Sequence, residues 1–240
     1  MSASHVLAWC VHFFTSLGLI AAAGIAVLIV RGGDGSFRAA FALMFVATLI
    51  DAVDGSLARM ARVKKVLPDF DGRRLDDIID FHTYTSLPLL LVWRAGILPG
   101  GWSVLLLLPL LASVYGFSRT AAKTHDGYFL GFPSYWNIVA FYLYFLGPPI
   151  WFSIAAITIL SLLTFVPSLY LYPTQPGALN RITNVFAAVW IVLLVWILAV
   201  SPEQRHAIVI QSLFFPAFYM GASFWVTRTH YSRQIRSSRS

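Results

Sequence analysis

The sequence predicts an all-α integral membrane protein with about eight transmembrane helices. Three observations predict it. Of the 240 residues, 58% are hydrophobic and only 11% charged, with a mean hydropathy of +0.74; soluble domains carry about a quarter charged residues. Several apolar runs reach the roughly 20 residues that cross a bilayer as a helix. No period-2 alternation accompanies them, which excludes a barrel and leaves helices to satisfy the backbone in lipid.

The spans follow in order from apolar runs bounded by Gly, Pro and charge. The first, near 6–30, has no basic stretch before it and reads as a retained span instead of a cleaved leader. The second, 37–62, follows Gly32-Gly33. A charged loop, 63–73, leads to the third at 74–95, and Pro99-Gly100 opens the fourth at 101–122. Spans at 134–147 and 149–170 meet at Pro148-Pro149, either a tight hairpin or a kink in one long helix. The last two are 182–200 and 206–227. Residues 1–227 form one membrane-embedded domain, and 228–240 a basic, Ser-rich cytoplasmic tail suited to lipid headgroups.

Charge placement orients the chain. With both termini on one side, that side holds Arg59, Arg62, Lys64, Lys65, Arg73, Arg74, Arg119, Lys123, Arg181, Arg228, Arg233, Arg236 and Arg239. The other holds Arg31, Arg38, Arg94 and Arg205. Basic residues gather in cytoplasmic loops, so both termini are expected in the cytoplasm. The net charge of +7 is thereby explained without a nucleic-acid partner. The single cysteine, Cys10, excludes an intrachain disulfide.

The acids are more informative. All Asp and Glu except Asp34, Asp126 and Glu203 lie between residues 51 and 80. A carboxylate at membrane depth costs about 2.5–3.5 kcal/mol. Asp51 and Asp54 stand three apart near the cytoplasmic end of the second span, and Asp76 and Asp80 four apart at the start of the third. Both spacings place side chains on one helix face. Two consecutive antiparallel helices can then converge four carboxylates, whose repulsion at low dielectric a divalent cation resolves. Hard oxygen ligands suit Mg²⁺, Mn²⁺ or Ca²⁺. At about 100° per residue, Gly55, Ala58 and Arg62 fall within roughly 40° of Asp51, and Arg59 about 80° round. Small residues leave room for a bulky ligand or a close helix, and arginines beside a metal suit phosphate oxygens. Asp77 points about 100° from Asp76, toward a helix N-terminal or supporting role, and Asp69 and Asp71 read as loop or cap residues.

Residues 51–80 read D-A-V-D-G-S-L-A-R, then twelve residues, then G-R-R-L-D-D-I-I-D. This resembles the signature of the CDP-alcohol phosphotransferase family, with every fixed position filled: Asp51, Asp54, Gly55, Ala58, Arg59, Gly72, Asp76 and Asp80. The resemblance implies a six-helix core, often homodimeric, around a cytoplasm-facing polar cavity in a bacterial inner membrane. It implies two metal ions, Mn²⁺ or Mg²⁺, held by Asp51, Asp54, Asp76 and Asp80, with Asp80 as general base. Gly55, Ala58, Arg59 and Gly72 would lie against the cytidine diphosphate. The twelve-residue spacer is longer than the family's usual one. It is similar to a subgroup that joins CDP-diacylglycerol to choline, as is the stretch Tyr115–Asn137, YGFSRTAAKTHDGYFLGFPSYWN.

Other contacts are read from position. Arg119 and Lys123, four apart at the cytoplasmic end of the fourth span, could clamp the lipid diphosphate or anchor the helix. A quaternary ammonium is best held by aromatic faces. Tyr84, Tyr115 and Trp136, with Tyr128 and Tyr135, are the candidates near the cytoplasmic mouth. Thr15 and Ser16 either touch the nucleotide or satisfy helix carbonyls. Rival readings are the same chemistry with serine, inositol or glycerol phosphate as acceptor, CDP-choline with diacylglycerol, and a divalent-cation transporter. The last needs carboxylates or broken helices across the membrane, and here the acids sit at one end.

Overall fold

The computed structural model describes residues 2–119, 128–171 and 178–237, with side chains through residue 232. Helices lie where the apolar runs predict them. Five are long and apolar enough to cross a membrane: Ala3–Arg31, Asp34–Met60, Gly100–Ser118, Leu179–Ala199 and Pro202–Ser232. The shorter apolar helices are Trp136–Leu146 and Ile150–Leu163. Large apolar side chains such as Phe13, Val27, Leu111, Trp151 and Val192 face outward, as a multi-pass protein in lipid requires.

The described chain divides into two compact units. The first, Met1–Ser103 with Tyr135–Phe141, is built on helices α1 (Ala3–Arg31) and α2 (Asp34–Met60). The turn between them uses Gly32 and Gly33 at φ 72° and 85°, a region open to glycine at little cost. Small residues let the helices close up: Ala8, Ala21 and Ala22 of α1 are buried, as are Ala40 and Ala47 of α2, and the larger Ile25, Phe41 and Met44 are buried too. A short helix, α3 (Val63–Val66), follows in the loop. A helical rod comes next: α4 (Gly72–Asp80), a π-helical segment (Phe81–Ser86) and α5 (Leu87–Arg94). Asp71 caps α4, its Oδ1 accepting from Arg74 N at 3.1 Å, in the cap role its position predicts. Both α3 and α4 pack on α1.

The second unit, Val104–Ser134 with Tyr142–Ser240, holds α6 (Leu107–Ser118), β1 (Phe129–Leu130), α8 (Ile150–Leu163), β2 (Leu169–Tyr170), α9 (Ala178–Ala199), α10 (Pro202–Ser212) and α11 (Phe214–Ser237). Helix α7 (Trp136–Leu146) divides its residues between the units. In the second unit, Tyr142 Oη accepts from Trp190 Nε1 at 2.8 Å and donates to the Ser212 carbonyl at 3.1 Å.

Some boundaries differ from expectation. The span predicted at 149–170 stops as helix at Leu163, because Pro167 cannot donate to a continuing helix. Leu169–Tyr170 then pairs antiparallel with Phe129–Leu130, and Leu169 N donates to Thr227 Oγ1 of α11 at 2.8 Å. The span predicted at 101–122 opens as a 3₁₀ turn, Gly100–Leu106, and becomes α-helical two residues before Pro109; proline is tolerated only near a helix start. Pro148-Pro149 lies in a true helix break, with Gly147 at φ 54°. The C-terminal helix continues through Ser237, into the basic tail.

Candidate metal and phosphate site

Helices α2 and α4 meet where the acid spacing predicts. Oxygens of Asp51, Asp76 and Asp80 all lie within 4.8 Å of one another. Asp54 is buried one turn on from Asp51, and its carboxyl touches that of Asp76. The four line one cleft with Thr15 and Gly18 of α1, Ala47 and Ile50 of α2, and Ile79 of α4. The cleft is partly open to solvent and narrow, with a cavity volume of about 10 Å³, room for about one water.

The approach of α4 to α1 is what closes this cleft. A Cβ on Gly18 would lie 2.8 Å from Ile79 Cγ2, and a Cβ on Gly72 only 2.5 Å from His12 Cε1. The His12 ring is buried against Phe70, with centroids 4.4 Å apart, and meets Trp9 at 5.9 Å. Gly72 thus lets the start of α4 rest on α1. Ala58 has a similar use, packing against the cluster of Ala8, Val11 and Val63.

The donor set fits divalent cations. Among the described residues, no Lys, Arg or His forms an ion pair with Asp54, Asp76 or Asp80; the described ion pairs are Arg38–Asp34, Arg73–Asp77 and Arg74–Asp71. Carboxylates packed together at membrane depth repel unless protons or a cation neutralise them, and these residues could hold a cation. All-oxygen, flexible ligands favour hard ions.

The other predicted residues are distributed unevenly. Gly55 is half-buried, with only Arg59 Nη1 within 4 Å of where its Cβ would stand, at 3.5 Å. Arg59 is exposed and donates to Ser56 Oγ at 2.9 Å, so its guanidinium lies over that glycine step. Thr15 and Ser16 donate to the carbonyls of Val11 and His12 at 3.3 and 2.8 Å. Asp77 forms an exposed ion pair with Arg73 of its own helix at 3.8 Å. Tyr84 donates its hydroxyl to Asp51 Oδ2 at 2.8 Å and stands 6.5 Å from Tyr135, ring to ring. Trp136 is 1% exposed. In the second unit, exposed Tyr115 packs on Phe165 at 4.9 Å with the Arg119 guanidinium 5.9 Å over its ring. Lys123 lies outside the described residues.

Sequence reasoning did not single out Gly18, Thr48 or Asn137, nor the bond from Tyr84 to Asp51. No regular-helix spacing rule would have found the last, because Tyr84 lies in a π-helical segment.

A multi-helix membrane protein with signature aspartates gathered at one helix pair is an integral-membrane CDP-alcohol phosphotransferase. No protein-family model matches the chain. Individual proteins do. A phosphatidylcholine synthase of Legionella bozemanae is 36% identical over 197 residues, covering 79% of this chain and 90% of its own length. One from Legionella pneumophila is 34% identical over 233 residues, covering 93% and 89%, and one from Pseudomonas aeruginosa 31% identical over 221 residues, covering 91% of each. The chain belongs to the phosphatidylcholine synthase family.

Proposed function

We propose that this protein transfers the phosphatidyl group of CDP-diacylglycerol to choline, releasing CMP. The observation that carries the reading is the convergence of Asp51, Asp76 and Asp80 within 4.8 Å beside buried Asp54. Membership among proteins named phosphatidylcholine synthase favours choline over serine, inositol or glycerol phosphate, and an enzyme over a transporter.

Asp51, Asp54, Asp76 and Asp80 would hold two divalent cations, Mn²⁺ or Mg²⁺. Such ions, when bound, supply charge neutralisation of the diphosphate and stabilise the departing CMP. The chain's own residues do the rest. Gly55, Ala58, Arg59 and Gly72 accommodate the cytidine diphosphate, and Arg119 with Lys123 steady the lipid diphosphate. Asp80 accepts the proton of the choline hydroxyl. The choline oxygen attacks the phosphatidyl phosphorus in line as the bond to the CMP oxygen breaks. An aspartate is an ordinary-strength base, pKa about 3.9 in isolation, so placement of the two reactants carries much of the rate. The ring faces of Tyr84, Tyr115 and Trp136 are the aromatic candidates for the quaternary ammonium. Of these, Tyr84 is adjacent to the aspartates and Trp136 is the least accessible.

Residues 1–227 act as the catalytic domain and 228–240 as a cytoplasmic tail. The protein works as a homodimer in a bacterial cytoplasmic membrane with both termini inside, a placement supported by the asymmetry of Lys and Arg. The test is direct. Purified protein in detergent receives CDP-diacylglycerol and Mn²⁺, with choline, serine, inositol or glycerol phosphate in separate reactions, and CMP is followed. Release with choline is expected. Release only with serine refutes the acceptor, and none with any acceptor refutes the enzyme.

A further inference from the structure

Immediately after Asp80 the helix widens. From Phe81 to Ser86 it is π-helical, with Leu87 N reaching back to the His82 carbonyl and Ser86 Oγ donating to the Phe81 carbonyl at 3.1 Å. Widened turns of this kind recur at functional sites because they re-aim side chains that a regular helix would send elsewhere. The side chain aimed here is Tyr84.

Its hydroxyl donates to Asp51 Oδ2 at 2.8 Å. Thr48, one turn before Asp51 on α2, donates its hydroxyl to the Met44 carbonyl at 3.0 Å. Thr48 Oγ1 in turn is contacted by Asn137 Nδ2 at 3.5 Å, and Asn137 is buried at the start of α7. All four residues belong to the first unit. The bond from the π-helical segment to Asp51 comes from Tyr84 and reaches one carboxylate oxygen. A carboxylate rotates about its Cβ–Cγ bond; a short bond to one oxygen fixes that rotation and so fixes where the other oxygen points. Groups that orient metal-binding side chains in this way tune cation affinity about 10–100-fold.

We infer that Tyr84 is a positioning residue: its hydroxyl sets the Asp51 carboxylate in the orientation a divalent cation needs, and the π-helical segment delivers it there. The inference rests on the metal reading proposed above and assigns the hydroxyl, leaving the ring face free to meet the acceptor.

The experiment uses the full chain in detergent without substrates. Mn²⁺ is titrated and free ion followed by electron paramagnetic resonance, for wild type, Tyr84→Phe and Tyr84→Leu. Wild type binds. Tyr84→Phe keeps the ring and loses affinity about 10–100-fold. Tyr84→Leu shifts affinity the same way, and carries the test should Tyr84→Phe not purify as folded protein. Wild-type Mn²⁺ affinity in the folded variants overturns the inference and leaves the metal reading standing. A wild type that binds no Mn²⁺ overturns both.

Discussion

Neutralising Asp76 should make the metal-free protein more stable, not less. Oxygens of Asp51, Asp76 and Asp80 lie within 4.8 Å of one another. At an effective dielectric of about 20, two unit charges at that separation repel by about 3.5 kcal/mol. Asp76→Asn keeps the shape and removes the repulsion toward two neighbours. Screening at the solvent-open cleft reduces this to a net gain on the order of 1–2 kcal/mol. For a chain of this size about 1 kcal/mol moves the melting midpoint roughly 2–4 °C. The assay is thermal melting in detergent, with EDTA and again with Mn²⁺. In EDTA, Asp76→Asn should melt several degrees above wild type. With Mn²⁺, wild type should rise through preferential binding to the folded state, and the variant should rise far less. A variant that melts below wild type in EDTA yet keeps the full upward shift with Mn²⁺ refutes the reasoning, since the carboxylate would then be a structural hydrogen-bonding group.

Three further outcomes follow from the same geometry. Asp80→Asn should abolish CMP release while melting in EDTA above wild type, by the same relief of repulsion as at Asp76; substantial turnover would remove Asp80 as the base. Gly72→Ala drives a Cβ to 2.5 Å from the His12 ring, and overpacking of this kind costs about 1–3 kcal/mol; the double change with His12→Ala should recover part of that loss in the same melts, and no recovery would mean the two do not press on each other. Cation affinity should fall as pH falls, because protons compete for ligand carboxylates; Mn²⁺ titrations at stepped pH check the sign, and tighter binding in acid would contradict a carboxylate site.

Much of this arrangement is legible in the sequence, for physical reasons. Carboxylates are so costly in a membrane that Asp51, Asp54, Asp76 and Asp80 stand out, and helical periodicity alone places each pair on one face. The glycines show the limit. Gly55 sits on the predicted face, but the need for Gly72 comes from the His12 ring on another helix, a contact between residues sixty apart that no local pattern encodes. The end of the sixth predicted span is marked by Pro167, but the strand beyond it is not marked. Leu169–Tyr170 is as apolar as any helical stretch, and only its pairing with Phe129–Leu130 makes it a strand. The π-helical segment is likewise invisible, because Phe81–Ser86 carries no Gly or Pro to mark it. Aromatic residues are too abundant for composition to separate Tyr84, which bonds Asp51, from Trp136, which fills the core.

The central claim is that these aspartates share divalent cations. Anomalous diffraction at the manganese edge, from crystals grown with Mn²⁺ and a CDP-lipid, tests it most directly. Peaks bridging Asp51, Asp54, Asp76 and Asp80 on the diphosphate side are the expected result. An active protein whose manganese lies elsewhere, with these four carboxylates bare, would contradict it.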